Sequence, residues 1–338
     1  VSSSAPALVR RTIAPTTARA LGRVAVELAE SFRSPFDPEL VAAVDRRAPE
    51  LPSEVAEAVQ PPGDDGAVII SGLQVDDAGL GPTPESWRAA GTAGFDFELI
   101  MLLLARSAGQ PFGWRGQQNG RLINTIVPSR GREREQTGAS SATTLAPHTE
   151  DAFHPGRAHL MLLGCLRNPD RVGTTVSSVR RVRLTDDHRR TLAEPVLPIL
   201  PDSSYGTDHD QDSARPTPPV WDGPEGPTLR YDPAYTPLER ADADYRAAYG
   251  QLAAELDRVK ITAVLDPGEL LLIDNDLAVH GRVPFTARYD GTDRWLKRVN
   301  IRLADRARRP AEADEDGFGE ELVEPFGRQQ PSTDPLAG

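Results

Sequence analysis

Pro147-His148-Thr149-Glu150-Asp151-Ala152-Phe153-His154-Pro155 is the stretch on which the reading of this chain turns. It sets an imidazole and a carboxylate two residues apart. In an extended strand, side chains at i and i+2 share a face, so His148 and Glu150 can converge on one ion. Alone, such a pair is equally the wet face of any half-buried strand. Its weight comes from a third residue far downstream, His280.

Around His280 the pattern is strand after strand. Residues 269–275 run into 277–282, and residues 296–303 alternate apolar and polar side chains. His148, Glu150 and His280 together supply two neutral imidazoles and one carboxylate. Three such donors on one face of an octahedral ion leave positions open for substrate and oxygen, the arrangement of non-haem Fe(II) oxygenases. Zinc accepts the same donors, but the helical His-Glu-x-x-His motif of zinc peptidases is absent, and a zinc hydrolase stays as the rival reading. A non-catalytic barrel that only binds a ligand is the other rival. Arg294, shortly after His280, separates them: its guanidinium fork matches a carboxylate, as the distal end of 2-oxoglutarate requires.

Composition bounds the remaining choices. The chain has 338 residues with 38% hydrophobic content, enough for a real core, and its 31 Pro and 28 Gly favour a turn-rich, mainly β architecture. A net charge of −12 argues against a phosphate-tracking surface and so against a nucleic-acid partner. The single cysteine, Cys165, sits in an apolar run and reads as a buried thiol. No apolar segment reaches membrane-spanning length and no secretory leader pattern is visible, so a cytoplasmic protein is expected.

The scaffold reads as follows. Residues 17–33 and 38–45 have helical spacing, 66–73 a buried strand, 74–94 a loop, and 95–107 a helix apolar nearly all round. Residues 121–127 alternate as a strand, and 129–146 form a polar segment leading into the central stretch, as a lid would. Strands follow at 160–166 and 173–179. Residues 201–228 carry no pattern worth forcing into structure. A short strand is expected at 229–232, a long helix at 238–259, and an acidic, Pro-rich surface tail beyond Arg309.

The run from His148 to Pro155, followed by Leu163-Gly164-Cys165-Leu166-Arg167-Asn168, resembles the clavaminate synthase-like branch of Fe(II)/2-oxoglutarate-dependent oxygenases. Within that branch it is most similar to the bacterial amino-acid hydroxylases of peptide-antibiotic pathways. The resemblance covers roughly residues 65–305 and implies a double-stranded β-helix, a jelly-roll relative of the cupins, with flanking helices. A single oxygenase domain is then expected, with a helical region at 1–64, the core at 65–305 and the tail at 306–338.

Carried over position by position, the resemblance implies His148, Glu150 and His280 as Fe(II) ligands, with O2 and 2-oxoglutarate as cosubstrates. Arg294 would hold the C5 carboxylate of 2-oxoglutarate, assisted by Thr175 or Thr174. Arg298 would hold the substrate α-carboxylate, Gln117 (or Gln118) its backbone, and the free oxygen of Glu150 its amine. Asp232 would meet a cationic side chain. The small-molecule partner implied is a free amino acid, L-arginine hydroxylated at Cβ (with Cγ also open). Related arginine enzymes carry a second acid two residues on, where this chain has Ala234, so a cyclic guanidino amino acid, lysine and asparagine stay open, as do desaturation and ring closure. Asp186, Asp187, Asp202 and Asp208 are the candidates for the missing charge. His154 and His159 read as local hydrogen-bonding residues, and His188 and His209 sit in polar stretches; none of the four is expected to ligate the metal, because a fourth protein ligand would block the open positions.

Overall fold

The computed structural model describes residues 7–32, 34–35, 37–206 and 214–326. The N-terminal region is helical. Strand β1 (Arg10–Thr12) leads into α1 (Pro15–Ser31), α2 (Pro38–Arg47) and α3 (Ser53–Ala58). In α1, Pro15 occupies the first turn, where its missing N–H costs nothing, and Leu21, Ala25 and Leu28 bury one face. After β2 (Ala67–Ser71), the segment read as loop holds a single-turn helix, α4 (Asp77–Leu80), whose start is capped by Asp76. Helix α5 (Phe95–Ala108) is buried nearly all round, as its sequence requires, with only the Asp96 side and its last turn reaching out.

Next come β3 (Gln110–Trp114), β4 (Ile123–Ile126), β5 (Leu145–His148), β6 (Leu160–Arg167) and β7 (Thr174–Ser178), then α6 (Asp186–Leu192). The hairpin β8 (Val220–Gly223) and β9 (Gly226–Leu229) precedes α7 (Ala243–Arg258). The chain closes with β10 (Ile261–Ala263), β11 (Leu270–Asp274), β12 (Ala278–Arg282), β13 (Trp295–Arg302) and β14 (Leu322–Val323). Among the described residues no helix is long and apolar enough to cross a membrane.

Two sheets face one another. The major sheet runs β1-β2-β11-β6-β13-β3-β14, with β4 also paired to β13, and the minor sheet runs β10-β7-β12-β5. Alternation along each strand assigns its side chains to layers. From β13, Trp295, Val299 and Ile301 pack outward against α1 and α5, whereas Leu296 joins Met161, Leu163, Cys165, Val176 and Ile273 between the sheets. Burial there pushes the Cys165 thiol up to about 12. Behind the minor sheet, Val279 packs with Leu252 and Leu256 of α7 and Leu192 of α6. The sheets do not close into a barrel, and the open space between them holds the site.

Two expectations need correction, and one strand was not anticipated. The strand expected at 229–232 ends at Leu229, because it forms a hairpin with β8 inside the segment read as patternless, closed by Gly226 at φ 110°. Those strands, Val-Trp-Asp-Gly and Gly-Pro-Thr-Leu, lack the β-branched run that marks a strand locally. The expected surface tail does run over the surface, since most of residues 310–326 are exposed or half-exposed, but it is anchored: Glu312 is only 2% exposed, and Leu322–Val323 pairs with β3. The unanticipated strand is β3, whose Gln-Pro-Phe-Gly-Trp neither alternates nor offers β-branched residues.

Candidate metal centre and substrate pocket

His280 on β12 is directly opposite His148 on β5, so both rings leave the minor sheet on the same face, with centroids 4.4 Å apart. Glu150 lies two residues past the end of β5. Its path is kept extended by bonds from both flanks. Thr149 N–H donates to Tyr231 O (2.7 Å), and Tyr231 N–H donates to Thr149 Oγ1 (3.1 Å). Asn275 accepts from Glu150 N–H at 2.8 Å and donates to the carbonyls of Glu150 and Ala158, each at 3.1 Å. Asp151 then turns the chain at φ 51°. Glu150 Oε2 consequently sits 3.3 Å from His280 Nε2 and 3.8 Å from His148 Nε2.

One donor atom from each of these residues lies within 4.8 Å of the others, the only such cluster of three among the described residues. Two imidazoles and a carboxylate converging from one side suit a divalent iron with open positions opposite. The His148 ring is oriented by its backbone: Nδ1 is 2.9 Å from Ala146 O, which fixes the proton there and leaves Nε2 for a metal. Burial lowers His148, but Glu150 and Asp232 outweigh it and raise it to about 9. His280 is lowered to about 4 by burial and by His148 beside it. Burial raises the Glu150 carboxyl, yet Arg298 and the two histidines hold it well below its ordinary range.

The facing strand β13 brings the cations. Arg294 is buried, donates to Thr174 Oγ1 at 3.0 Å, and leaves Nε without a partner; no carboxylate is within ion-pair distance of it among the described residues. Burial lowers this guanidinium to about 10. Thr174 shares the His280 face of the minor sheet, whereas Thr175, one residue on, points to the other side and packs at Gly281. Arg298 donates to Glu150 Oε1, to Gln117 Oε1 (2.5 Å) and to Asn124 Oδ1 (3.1 Å). Gln118 is not free for a ligand, because its amide exchanges two bonds with the Thr125 backbone, at 2.8 and 2.9 Å.

A cavity of about 180 Å³ opens from these groups, lined by Gln117, His148, Glu150, Arg298, Asp202 and Asp232 among others. Burial raises Asp232 to about 6, with Asp202 adding to the rise and His148 opposing it. Asp202 is likewise raised by burial. Asp186 and Asp187 begin α6 as exposed residues away from the cavity, and Asp208 and His209 lie outside the described residues. Residues 63–300 match the taurine catabolism dioxygenase TauD, TfdA family.

The chain belongs to this dioxygenase family.

It is 36% identical over 310 residues to the enduracididine beta-hydroxylase of Streptomyces hygroscopicus, covering 83% of this chain and 91% of that protein. It is 35% identical over 274 residues to the L-ornithine/L-arginine 3-hydroxylase of Catenulispora acidiphila, covering 73% and 80%. The solved structure of the non-heme iron oxygenase OrfP in complex with Fe, succinate and (3S)-hydroxy-L-Arg superposes with a TM-score of 0.78 at 36% identity, covering 87% of this chain and 94% of that one. These similarities identify the chain as an Fe(II)/2-oxoglutarate dioxygenase of the clavaminate synthase-like branch, with the jelly-roll core of its structural neighbours.

Several residues of this dioxygenase site escaped the sequence reading. Asn275 holds the Glu150 backbone. Asp151 accepts from Trp114 Nε1 (2.7 Å), Tyr205 Oη (2.6 Å) and Asn300 Nδ2 (3.0 Å), tying the Ser203–Tyr205 turn to the residue after Glu150. Asn124 supports Arg298. None carries a local signal, because each acts through a partner at least 30 positions away. Of the other histidines, His154 accepts from Gly156 N–H (2.8 Å) at Nδ1 and therefore donates from Nε2 to Glu320 O (3.1 Å). His159 accepts from Leu303 N–H (2.9 Å).

Proposed function

We propose that the chain hydroxylates a free cationic amino acid, with L-arginine at Cβ as the first reading, using His148, Glu150 and His280 to hold Fe(II). The observation that carries this reading is the set of charges lining one cavity: the Arg298 guanidinium and the Gln117 amide, for a carboxylate, together with two carboxylates, Asp202 and Asp232, for a cation. An α-amino acid with a cationic side chain is the complementary molecule. Asp202 supplies the second acid that Ala234 lacks.

Each residue then has a placement role. Arg298 and Gln117 receive the α-carboxylate, and Glu150 Oε1, which faces Arg298 in this structure, receives the α-ammonium. Asp232 and Asp202 receive the guanidinium, whose five N–H donors serve two carboxylates at once. With both ends anchored, the middle of the substrate is presented at the metal, and a fixed geometry selects the carbon. Arg294 with Thr174 takes the distal carboxylate of 2-oxoglutarate, which cancels a buried charge otherwise lacking a counter-ion. When bound, Fe(II), 2-oxoglutarate and O2 supply the oxidising equivalents and the inserted oxygen, with succinate and CO2 as coproducts.

A cyclic guanidino amino acid is the second reading, supported by the similarity to the enduracididine beta-hydroxylase. Asparagine fits less well, since it would leave two buried-side acids unpaired. A cytoplasmic location accords with the pool of free amino acids and the lone reduced thiol. The test is mass spectrometry of reactions with Fe(II), 2-oxoglutarate, ascorbate and a panel of arginine, its cyclic relatives, lysine, ornithine and asparagine. A gain of one oxygen on a guanidino substrate, matched by succinate, is expected. Succinate matched to a modified neutral amino acid overturns the charge argument, and absence of succinate throughout places the substrate outside the free amino acids tested.

A further inference from the structure

The C-terminal segment, although largely exposed, inserts one carboxylate behind the site. Glu312 is almost fully buried, and one of its oxygens, Oε1, accepts from Arg157 Nη1 at 3.0 Å and from Arg230 Nη1 at 3.1 Å. Arg309 from its own segment adds a third donor at 3.2 Å. Arg157 and Arg230 are themselves buried, and they belong to the two arms that bear the substrate contacts. Arg157 closes the turn that follows Glu150, its N–H donating to His154 O at 3.2 Å. Arg230 immediately precedes Tyr231 and Asp232, and its Nε donates to Ala152 O.

At the front, the arms are stitched by the two Thr149–Tyr231 hydrogen bonds already described. At the rear, Glu312 is the shared acceptor. Glu315 reaches Arg230, and Asp276 comes within 3.8 Å of Arg157, but neither touches both arms. Withdrawing the Glu312 charge leaves two guanidiniums facing each other in a buried space, where like charges repel strongly.

We infer that Glu312 is a positioning residue: its carboxylate sets the span between the Glu150 arm and the Asp232 arm, and with it the substrate carbon held at the metal. The inference rests on the proposed anchoring of a cationic amino acid at both ends. A displacement of about 1 Å at a reacting centre costs on the order of a hundredfold in productive turnover, so a small spreading of the arms is read out in chemistry.

The test compares the full-length wild type with Glu312→Gln, both loaded with Fe(II) and 2-oxoglutarate, at a temperature well below either unfolding transition. The expected result is a KM for the cationic amino acid raised about tenfold or more, and a several-fold fall in hydroxylated product per succinate. The dissociation constant of 2-oxoglutarate stays within about twofold, since Arg294 and Thr174 lie on other elements. Amide hydrogen exchange, without turnover, is expected to quicken at residues 149–157 and 229–232. A lowered melting temperature with wild-type KM, coupling ratio and exchange assigns Glu312 to stability alone and overturns the inference. If Glu312→Gln does not fold, the double variant Glu312→Gln/Arg157→Met removes the like-charge pair while still lacking the Glu312 bridge between the arms. The same shifts are expected of it, and their absence overturns the inference equally. Should the wild type act on no cationic amino acid, the proposed function fails, and the exchange experiment alone decides the clamp.

Discussion

Replacing Arg294 with Leu tests the assignment of the 2-oxoglutarate pocket through two measurements that move in opposite directions. The guanidinium is 7% exposed, keeps one side-chain hydrogen bond, and has no counter-ion among the described residues. Burial holds it at about 10 rather than 12.5. At about 1.36 kcal/mol per pKa unit, that corresponds to roughly 3 kcal/mol of unfavourable charge burial in the ligand-free protein. Removing the charge relieves this cost, so the melting temperature of ligand-free Arg294→Leu is expected to equal or exceed that of wild type. The bound carboxylate loses its buried partner, which costs about 2–5 kcal/mol, a fall of roughly thirtyfold to several thousandfold in 2-oxoglutarate affinity. Anaerobic calorimetric titration of 2-oxoglutarate into the Fe(II)-loaded proteins reads the second quantity, and thermal unfolding of the ligand-free proteins the first. Affinity within about threefold of wild type would refute the assignment, and a large loss of ligand-free stability would refute the claim that Arg294 is electrostatically unsatisfied.

Three further outcomes are expected. Asp232→Asn should raise the KM for a cationic amino acid about thirtyfold or more, near 2 kcal/mol, with 2-oxoglutarate affinity unchanged; equal losses on both ligands would point to a general collapse of the cavity. Asn275→Ala removes three bonds to the Glu150 and Ala158 backbones and should lower Fe(II) affinity about tenfold to a hundredfold, together with about 2–4 kcal/mol of stability. A metal titration matching wild type would show that Glu150 is placed without it. Glu312 provides the pH case. Burial raises its carboxyl, but Arg157, Arg230, Arg309 and Arg308 prevail and hold it at about 2 against an ordinary 4.5. A depressed carboxyl stabilises the fold fully above its unfolded value and loses that contribution as pH falls towards the folded one. The urea midpoint of wild type should therefore exceed that of Glu312→Gln at pH 7, with the gap closing between about pH 4.5 and 2. A gap independent of pH would place the effect in packing instead of charge.

Much of the architecture was legible because it is written in local periodicity. Helix α5 announced itself by an apolar surface too wide for solvent, and β13 by an alternation that sends Arg294, Leu296 and Arg298 to one side and Trp295, Lys297 and Val299 to the other. Elements without local pattern were not legible. The β8–β9 hairpin and β3 are held by pairing, and their composition gives no warning. Acidity and proline content suggested a surface tail beyond Arg309, and gave no sign that Glu312 within it is buried, because the arginines that recruit it sit 155 and 82 positions upstream. Charge counts along a sequence do not show where the opposite charge will be.

For the site, the sequence by itself determined the donor types, the i, i+2 placement of His148 and Glu150, and the order in which His280, Arg294 and Arg298 follow. Those features are constrained by ligand chemistry and by one strand's geometry, both of which act over a few residues. Only the tertiary structure decided that Thr174 and not Thr175 meets Arg294, that Asp202 joins Asp232 in the cavity, and that Asn275 and Glu312 hold the arms in place. These contacts depend on the register and spacing of two facing sheets, quantities fixed by the packing of the whole core rather than by any stretch within it.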